Sequence, residues 1–325
     1  MTGTPNTAIA IASGTFATDT SEAPEATTTI SHVNAADQAA LAGLTDCDAL
    51  VVGLAPLGPA ELAALPSRVR VIGRAGIGLD SIDLAEAERL GIAVVHQPSY
   101  ATDEVADHAT ALVYALTRHV VLADTVARTA WPSWDRFGGV PSLAESTLGL
   151  VGIGRIGAAV ARRLAPAVGR ILAFDPGVTE APDGIELVGS LDELLRSSTI
   201  VSLHAPLTPQ TTHLINAAAL AAMPAGSFLV NVSRGGLVDE HALAAALADG
   251  HLAGAAVDVL SAEPPPAENP LLSAARTILS PHMAWLSRSS QDRLRRWTLT
   301  DVALVAQGAA PRHGRLAVNG SPKRR

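Results

Sequence analysis

The sequence is almost without lysine: of its 23 Lys and Arg residues only Lys323 is a lysine, in the terminal cluster Lys323-Arg324-Arg325. That scarcity excludes chemistry built on a buried amine, such as a pyridoxal-phosphate Schiff base, a Gly-Lys-Ser/Thr phosphate loop or a Tyr-x-x-x-Lys pair. Cysteine is equally rare, since Cys47 stands alone, so an intrachain disulfide and a cysteine metal cluster are both excluded. No uninterrupted apolar run reaches membrane-spanning length, and Met1-Thr2-Gly3-Thr4-Pro5 carries no basic leader, so a cytoplasmic protein without a membrane partner is expected. Positive charge is in deficit, 23 basic against 31 acidic residues for a net charge of −8, which argues against nucleic acid as a ligand. What remains is a globular composition, 48% hydrophobic over 325 residues, long enough for two domains.

Short apolar runs at 8–11, 49–52, 69–72 and 92–95 alternate with helical stretches at 37–44, 59–65 and 82–90, the last closed by Gly91. Such alternation predicts buried parallel strands in a small α/β domain. Residues 103–130 read as one long connecting helix with Thr102 as its N-cap, Asp103 and Glu104 at its positive end and Pro132 as its stop. Strand-like runs then resume at 148–151, 171–174, 200–203, 228–232, 255–257 and 277–279, a pattern best met by a doubly wound parallel sheet. Residues 287–307 are helical and are expected to return to the first domain. The expected division is therefore 7–102 plus 284–319 for one domain and 103–283 for the other, with 1–6 and 320–325 as disordered tails.

Gly152-Ile153-Gly154-Arg155-Ile156-Gly157 follows a strand and opens the helix at 158–164. Glycines there permit a tight turn and the close approach of a pyrophosphate, whose charge meets the helix N-terminus. The pattern alone also occurs in ordinary turns; its place between strand and helix carries the assignment. Asp175 ends the next strand, where a carboxylate accepts hydrogen bonds from the adenosine ribose and repels a 2′-phosphate, favouring NAD over NADP. Its other reading is a turn residue before Pro176-Gly177.

Three later strand ends carry polar groups: Ser233-Arg234-Gly235-Gly236, then Asp258 with Glu263-Pro264, then Ser280-Pro281-His282. Parallel sheets collect ligands at the carboxyl ends of their strands, so residues far apart in sequence converge there. Singly, each has a plain structural reading, Arg234 as a helix cap or a partner of Asp239, for example. His204, His108 and His96 lack this strand-end pattern and are assigned structural positions.

Together with Gly73-Arg74-Ala75-Gly76-Ile77-Gly78-Leu79-Asp80 and Val232-Ser233-Arg234-Gly235-Gly236-Leu237-Val238-Asp239-Glu240, these motifs resemble the D-isomer-specific 2-hydroxyacid dehydrogenase family over about Arg74 to Trp285. Within it, His204, Asn216 and His282-Met283-Ala284-Trp285 look most like the C-terminal binding protein branch. The resemblance implies a Rossmann NAD domain inserted in a smaller flavodoxin-like α/β substrate domain. It also implies NAD(H)-dependent transfer of hydride between nicotinamide and a small 2-oxo or 2-hydroxy acid.

By that resemblance His282 is the general acid/base, Glu263 its hydrogen-bonded partner favouring the charged imidazole, and Arg234 the fork for the substrate's oxygens. Backbone amides of Ile77 and Gly78 would hold the substrate carboxylate, and Trp285 would wall the pocket. Ala205, Pro206, Thr211, Val232, Ser233, Asp258, His282 and Ala284 would line the nicotinamide side of the cofactor, with Thr102 at its end. A homodimer through the NAD domain is implied, with Trp131 and Trp134 as interface candidates. An NAD(H)-sensing co-regulator and a phosphite-type dehydrogenase are the alternatives. A formate dehydrogenase is disfavoured, because that group carries Gln where Glu263 stands. The 40 residues after Trp285 are too few for the regulatory domain frequent in phosphoglycerate dehydrogenases.

Overall fold

The computed structural model describes residues 7–16, 28–131, 133–137 and 139–320. Pro132, the Lys323 cluster and residues 1–6 and 321–325 lie outside them. The chain forms two compact units, one holding residues up to Tyr100 and again from Ser287, the other Ala101–Leu286.

In the first unit, strands β1 (Thr7–Ala12), β2 (Thr28–Val33), β3 (Ala49–Val52), β4 (Val71–Arg74) and β5 (Ala93–His96) alternate, after β2, with helices α1 (Gln38–Ala42), α2 (Pro59–Ala64) and α3 (Leu84–Leu90). Asp37 caps α1 by accepting from the amides of Ala39 and Ala40, and Asp83 caps α3 through Glu86 N–H. Gly91 ends α3 in the left-handed conformation at φ 74°.

The second unit opens with α4 (Thr102–Thr117) and α5 (Val120–Ala130). It continues through β6 (Thr147–Val151), α6 (Arg155–Leu164), β7 (Arg170–Phe174), β8 (Glu186–Leu187), α7 (Leu191–Ser197) and β9 (Ile200–Leu203). It ends with α8 (Ala217–Ala222), β10 (Ser227–Asn231), α9 (Glu240–Ala248), β11 (Leu252–Val257) and β12 (Thr277–Leu279). The chain then returns to the first unit as α10 (Arg288–Ala306) and β13 (Arg315–Val318).

The first sheet runs β13-β5-β4-β3-β1-β2, all parallel except the edge strand β13. Its five parallel strands have the 2-1-3-4-5 order of a flavodoxin-like fold. The second runs β12-β11-β10-β9-β6-β7-β8, which in its own count is 7-6-5-4-1-2-3, the Rossmann order extended by one strand. Both are buried on two faces, which is why β3, β4 and β10 are wholly buried, β3 as an unbroken apolar run and β4 and β10 with their polar residues only at the strand ends.

Three expectations need correction. The helix expected over 103–130 is two helices, because His119 adopts φ 51° and breaks the ladder between α4 and α5. Thr102 is the first residue of α4 rather than its N-cap, a position taken by Ala101 without a side-chain bond. The units divide two to three residues from the expected boundaries. Tyr100 O accepts Arg293 Nε of α10 at 2.7 Å, whereas Ala284 N–H and Leu286 N–H bond back to Asp258 and Met283. Strands β2, β8 and β13 had no counterpart in the sequence reading.

Candidate active site

The glycine loop begins where β6 ends. Gly152 has φ 94°, and a Cβ there would lie 2.7 Å from the carbonyl oxygen of His204, so no other residue fits. Gly154 begins α6 without a side-chain cap and a Cβ on it would meet nothing within 4 Å, while Arg155, Ile156 and Gly157 form the helix's first turn. Open backbone at a helix N-terminus is what a dinucleotide pyrophosphate requires, so these residues fit the cofactor. β6 lies between β7 and β9, the point at which the strand order reverses.

Asp175 follows β7 and braces this loop. One carboxylate oxygen accepts Ile153 N–H at 3.0 Å, the other Gly177 N–H at 2.9 Å. Beyond β9, Ala205 and Pro206 begin a loop closed by Thr211, whose hydroxyl donates to Pro206 O at 2.7 Å. Beyond β10, Val232 is buried and the Ser233 hydroxyl donates to Leu203 O at 2.8 Å. The Thr102 hydroxyl is buried and has no hydrogen-bond partner. His204, assigned a structural position, has a buried Nδ1 without a partner, and burial pushes its imidazole down to about 4.

Three strand ends of the same sheet deliver the polar cluster. Asn231, buried at the end of β10, donates its side-chain amide to Arg234 O at 2.9 Å and accepts Ser233 N–H at 3.0 Å, fixing the turn that carries Arg234. Gly235 then packs on the 260–261 backbone so closely that a Cβ would collide with Leu260. The 260–269 loop is fastened by Glu240, which accepts Ser261 N–H and the Asn269 side-chain amide, each at 2.6 Å.

Within that loop Glu263 accepts Leu260 N–H at 2.9 Å on one oxygen and lies 2.6 Å from His282 Nδ1 through the other. Burial raises the Glu263 carboxyl, but the hydrogen bonds from His282 and Leu260 and the charges of His282 and Arg234 outweigh it and hold it below its usual range. His282 itself sits at φ 51° in a turn built around Asp258. Asp258 O accepts His282 N–H at 2.7 Å, while its buried carboxylate accepts Met283 N–H at 2.9 Å and Ala284 N–H at 2.8 Å. Trp285 is held against the same turn, its Nε1–H donating to His282 O at 2.9 Å.

In the first unit, the turn after β4 is anchored through its carbonyls. Arg74, 5% exposed, donates to Ala75 O and, at 2.9 Å, to Gly78 O; Gln97 N–H donates to Gly76 O at 3.0 Å; His96 Nδ1 meets Ile77 O at 2.9 Å. With the carbonyls so engaged, Ile77 and Gly78 N–H have no acceptor among the described residues. The sequence reading missed Asn231 and Glu240 as residues that shape the polar cluster of the second unit, and Arg74 and His96 as anchors of the turn after β4 in the first. The available signal for Asn231 was one polar residue at the end of the apolar run 228–232. Among the described residues no cluster of three His, Cys, Asp or Glu side chains could hold a metal ion, and no helix is long and apolar enough to cross a membrane.

A family model for the D-isomer specific 2-hydroxyacid dehydrogenase NAD binding domain matches residues 110–284. The chain is 40% identical over 258 residues to D-3-phosphoglycerate dehydrogenase of Mycobacterium tuberculosis, covering 78% of this chain but only 48% of that relative, about half its length. It is 38% identical over 282 residues to glyoxylate reductase of Thermofilum pendens, covering 83% of this chain and 82% of the relative. The NADPH-dependent glyoxylate/hydroxypyruvate reductase of Sinorhizobium meliloti, solved with NADP and malonate, superposes with a TM-score of 0.84 at 27% identity over 98% of this chain and 99% of that one. These relatives are named as enzymes, which does not favour the co-regulator alternative, and they do not single out the C-terminal binding protein branch. The chain belongs to the D-isomer-specific 2-hydroxyacid dehydrogenase family, and its second unit carries that family's NAD-binding domain.

Proposed function

We propose that the chain is an NAD(H)-dependent 2-hydroxyacid dehydrogenase that works as a 2-oxo acid reductase. The observation that carries the proposal is the His282–Glu263 pair, built beside Arg234 at the carboxyl ends of strands in a dinucleotide-binding sheet. Bound NADH supplies the hydride. A Glu263 carboxylate accepts, so His282 Nδ1 donates, and the proton on Nε2 goes to the oxygen of the carbonyl being reduced.

Arg234 offers a planar donor fork to the substrate's oxygens, a geometry matched to a 2-oxo acid. The unengaged amides of Ile77 and Gly78 are the donors for the substrate carboxylate. Trp285, tied to the His282 backbone, forms a wall that limits the substrate's side chain. Asp175 reads the ribose hydroxyls and selects NAD over NADP. Thr102, Asp258 and Ala284 belong to the nicotinamide end, Asp258 acting by shaping the turn that presents His282 and Ala284.

A homodimer through the second unit is supported by the apolar surface there. Val120, Val121 and Leu122 are exposed, Trp131 and Trp134 are 84% and 86% exposed, and Val121 and Leu122 line a groove of about 640 Å³ together with His119, Phe137 and Ile278 among others. A reducing, cytoplasmic setting suits the single buried thiol of Cys47. The reading is tested by following NADH oxidation with purified protein across small, branched, aromatic and phosphorylated 2-oxo acids, and by light scattering of Val121→Glu, which is expected to be monomeric where the parent is dimeric.

A further inference from the structure

His108 on α4 was left without a role, yet its Nε2 lies 3.0 Å from Ser280 Oγ and 3.6 Å from Asp258 Oδ1. Ser280 has one hydroxyl proton and gives it to Asp258 Oδ1 at 2.5 Å, so His108 Nε2 is the donor to Ser280 Oγ. The result is a one-way chain of donors from His108 through Ser280 to Asp258, whose same oxygen also accepts Met283 N–H. Asp258 is 2% exposed and centres the turn that keeps His282 at φ 51°. A left-handed non-glycine residue is strained and persists only when its surroundings over-determine it.

α4 starts where the chain enters this unit at Ala101, and the His282 turn lies just before it leaves at Leu286, so this tie joins the two crossing segments across 172 residues.

We propose that His108 is a positioning residue for the reduction: through Ser280 it locks the Asp258 carboxylate and thereby the orientation of His282 toward Glu263. It touches none of the reacting atoms. The proposal rests on the reading of His282 as proton donor.

The test compares full-length wild type, His108→Leu, His108→Gln, Ser280→Ala and the double variant His108→Leu/Ser280→Ala. Three readouts are taken: kcat and KM with glyoxylate and NADH, NADH affinity by fluorescence, and the carbethoxylation rate of His282 by diethyl pyrocarbonate, read by mass spectrometry. His108→Leu is expected to lower kcat about tenfold or more while NADH affinity holds within about twofold. His108→Gln, which restores an N–H donor, is expected to recover most of that loss, and the double variant to be no worse than His108→Leu, as for residues acting in one chain. His282 carbethoxylation is expected to change at least about threefold in His108→Leu and to return toward wild type in His108→Gln.

Unchanged kcat and unchanged carbethoxylation in His108→Leu would overturn the proposal. So would a loss that His108→Gln fails to restore, or one matched by an equal loss of NADH affinity. If wild type turns over neither glyoxylate nor any other 2-oxo acid, the functional reading fails, and the carbethoxylation comparison alone then decides whether His108 positions the turn.

Discussion

Glu263 Oε2 stands 2.6 Å from His282 Nδ1, and the same carboxylate is held on its other oxygen by Leu260 N–H. Because its hydrogen bonds and neighbouring cations outweigh burial, Glu263 stays ionised as the pH falls below the usual carboxylate range. The pair thus presents a negative partner to an imidazole that must be protonated for reduction. Replacing Glu263 with Gln keeps the shape and removes the charge. The pH profile of kcat/KM for 2-oxo acid reduction is expected to change, because proton transfer loses its carboxylate partner. A profile with both limbs in place would separate Glu263 from the proton transfer.

Asp175 has two duties, accepting Ile153 N–H in the glycine loop and presenting a carboxylate at the end of β7. Asp175→Ser removes the charge that repels a 2′-phosphate. The ratio of kcat/KM for NADH over NADPH is expected to fall by about tenfold, equivalent to about 1.4 kcal/mol. Some loss of NADH affinity accompanies it, because the loop loses a brace.

Arg74 spans its turn from beneath, donating to the carbonyls of Ala75 and Gly78. Arg74→Met releases both carbonyls and lets the Ile77 and Gly78 amides rotate. KM for the 2-oxo acid is expected to rise about tenfold with NADH affinity unchanged, since the affected donors lie outside the NAD-binding unit. Thermal denaturation of the variant separates this from general unfolding.

His204 gives a pH prediction for stability. Burial lowers its folded-state value to about 4 from 6.5, so between those values the unfolded chain binds a proton that the folded protein refuses. Its contribution is therefore complete above pH 6.5 and is lost progressively as the pH falls toward 4. His204→Gln cannot take up that proton, and its stability, measured by urea unfolding, is expected to fall less steeply over the window than that of the wild type.

Much of the candidate site was legible because its signals are local. Gly152, Gly154 and Gly157 sit in one short turn, and Arg234, Glu263 and His282 each follow a strand whose apolar run is plain. Strands alternating with helices announced parallel, doubly wound sheets, whereas the flavodoxin-like and Rossmann orders were implied only by the family resemblance. What the sequence hid is non-local or unsignalled. The break at His119 carries no glycine or proline to announce it, and β2, rich in threonine, lacks an apolar run. Asn231 works through its own turn, but only the folded backbone brings both its partners within reach. His108 and Ser280 are 172 residues apart, and neither looks notable without the other.

The most direct test of the account is the loss of NADH absorbance catalysed by wild type and by His282→Ala across a panel of 2-oxo acids, with NADH binding measured in parallel. The account predicts turnover of at least one class by the wild type. It also predicts a fall in kcat of about 10²–10⁴ in His282→Ala, with NADH affinity nearly intact. Turnover that survives in His282→Ala, or a wild type that binds NADH tightly and reduces none of the acids, would contradict it.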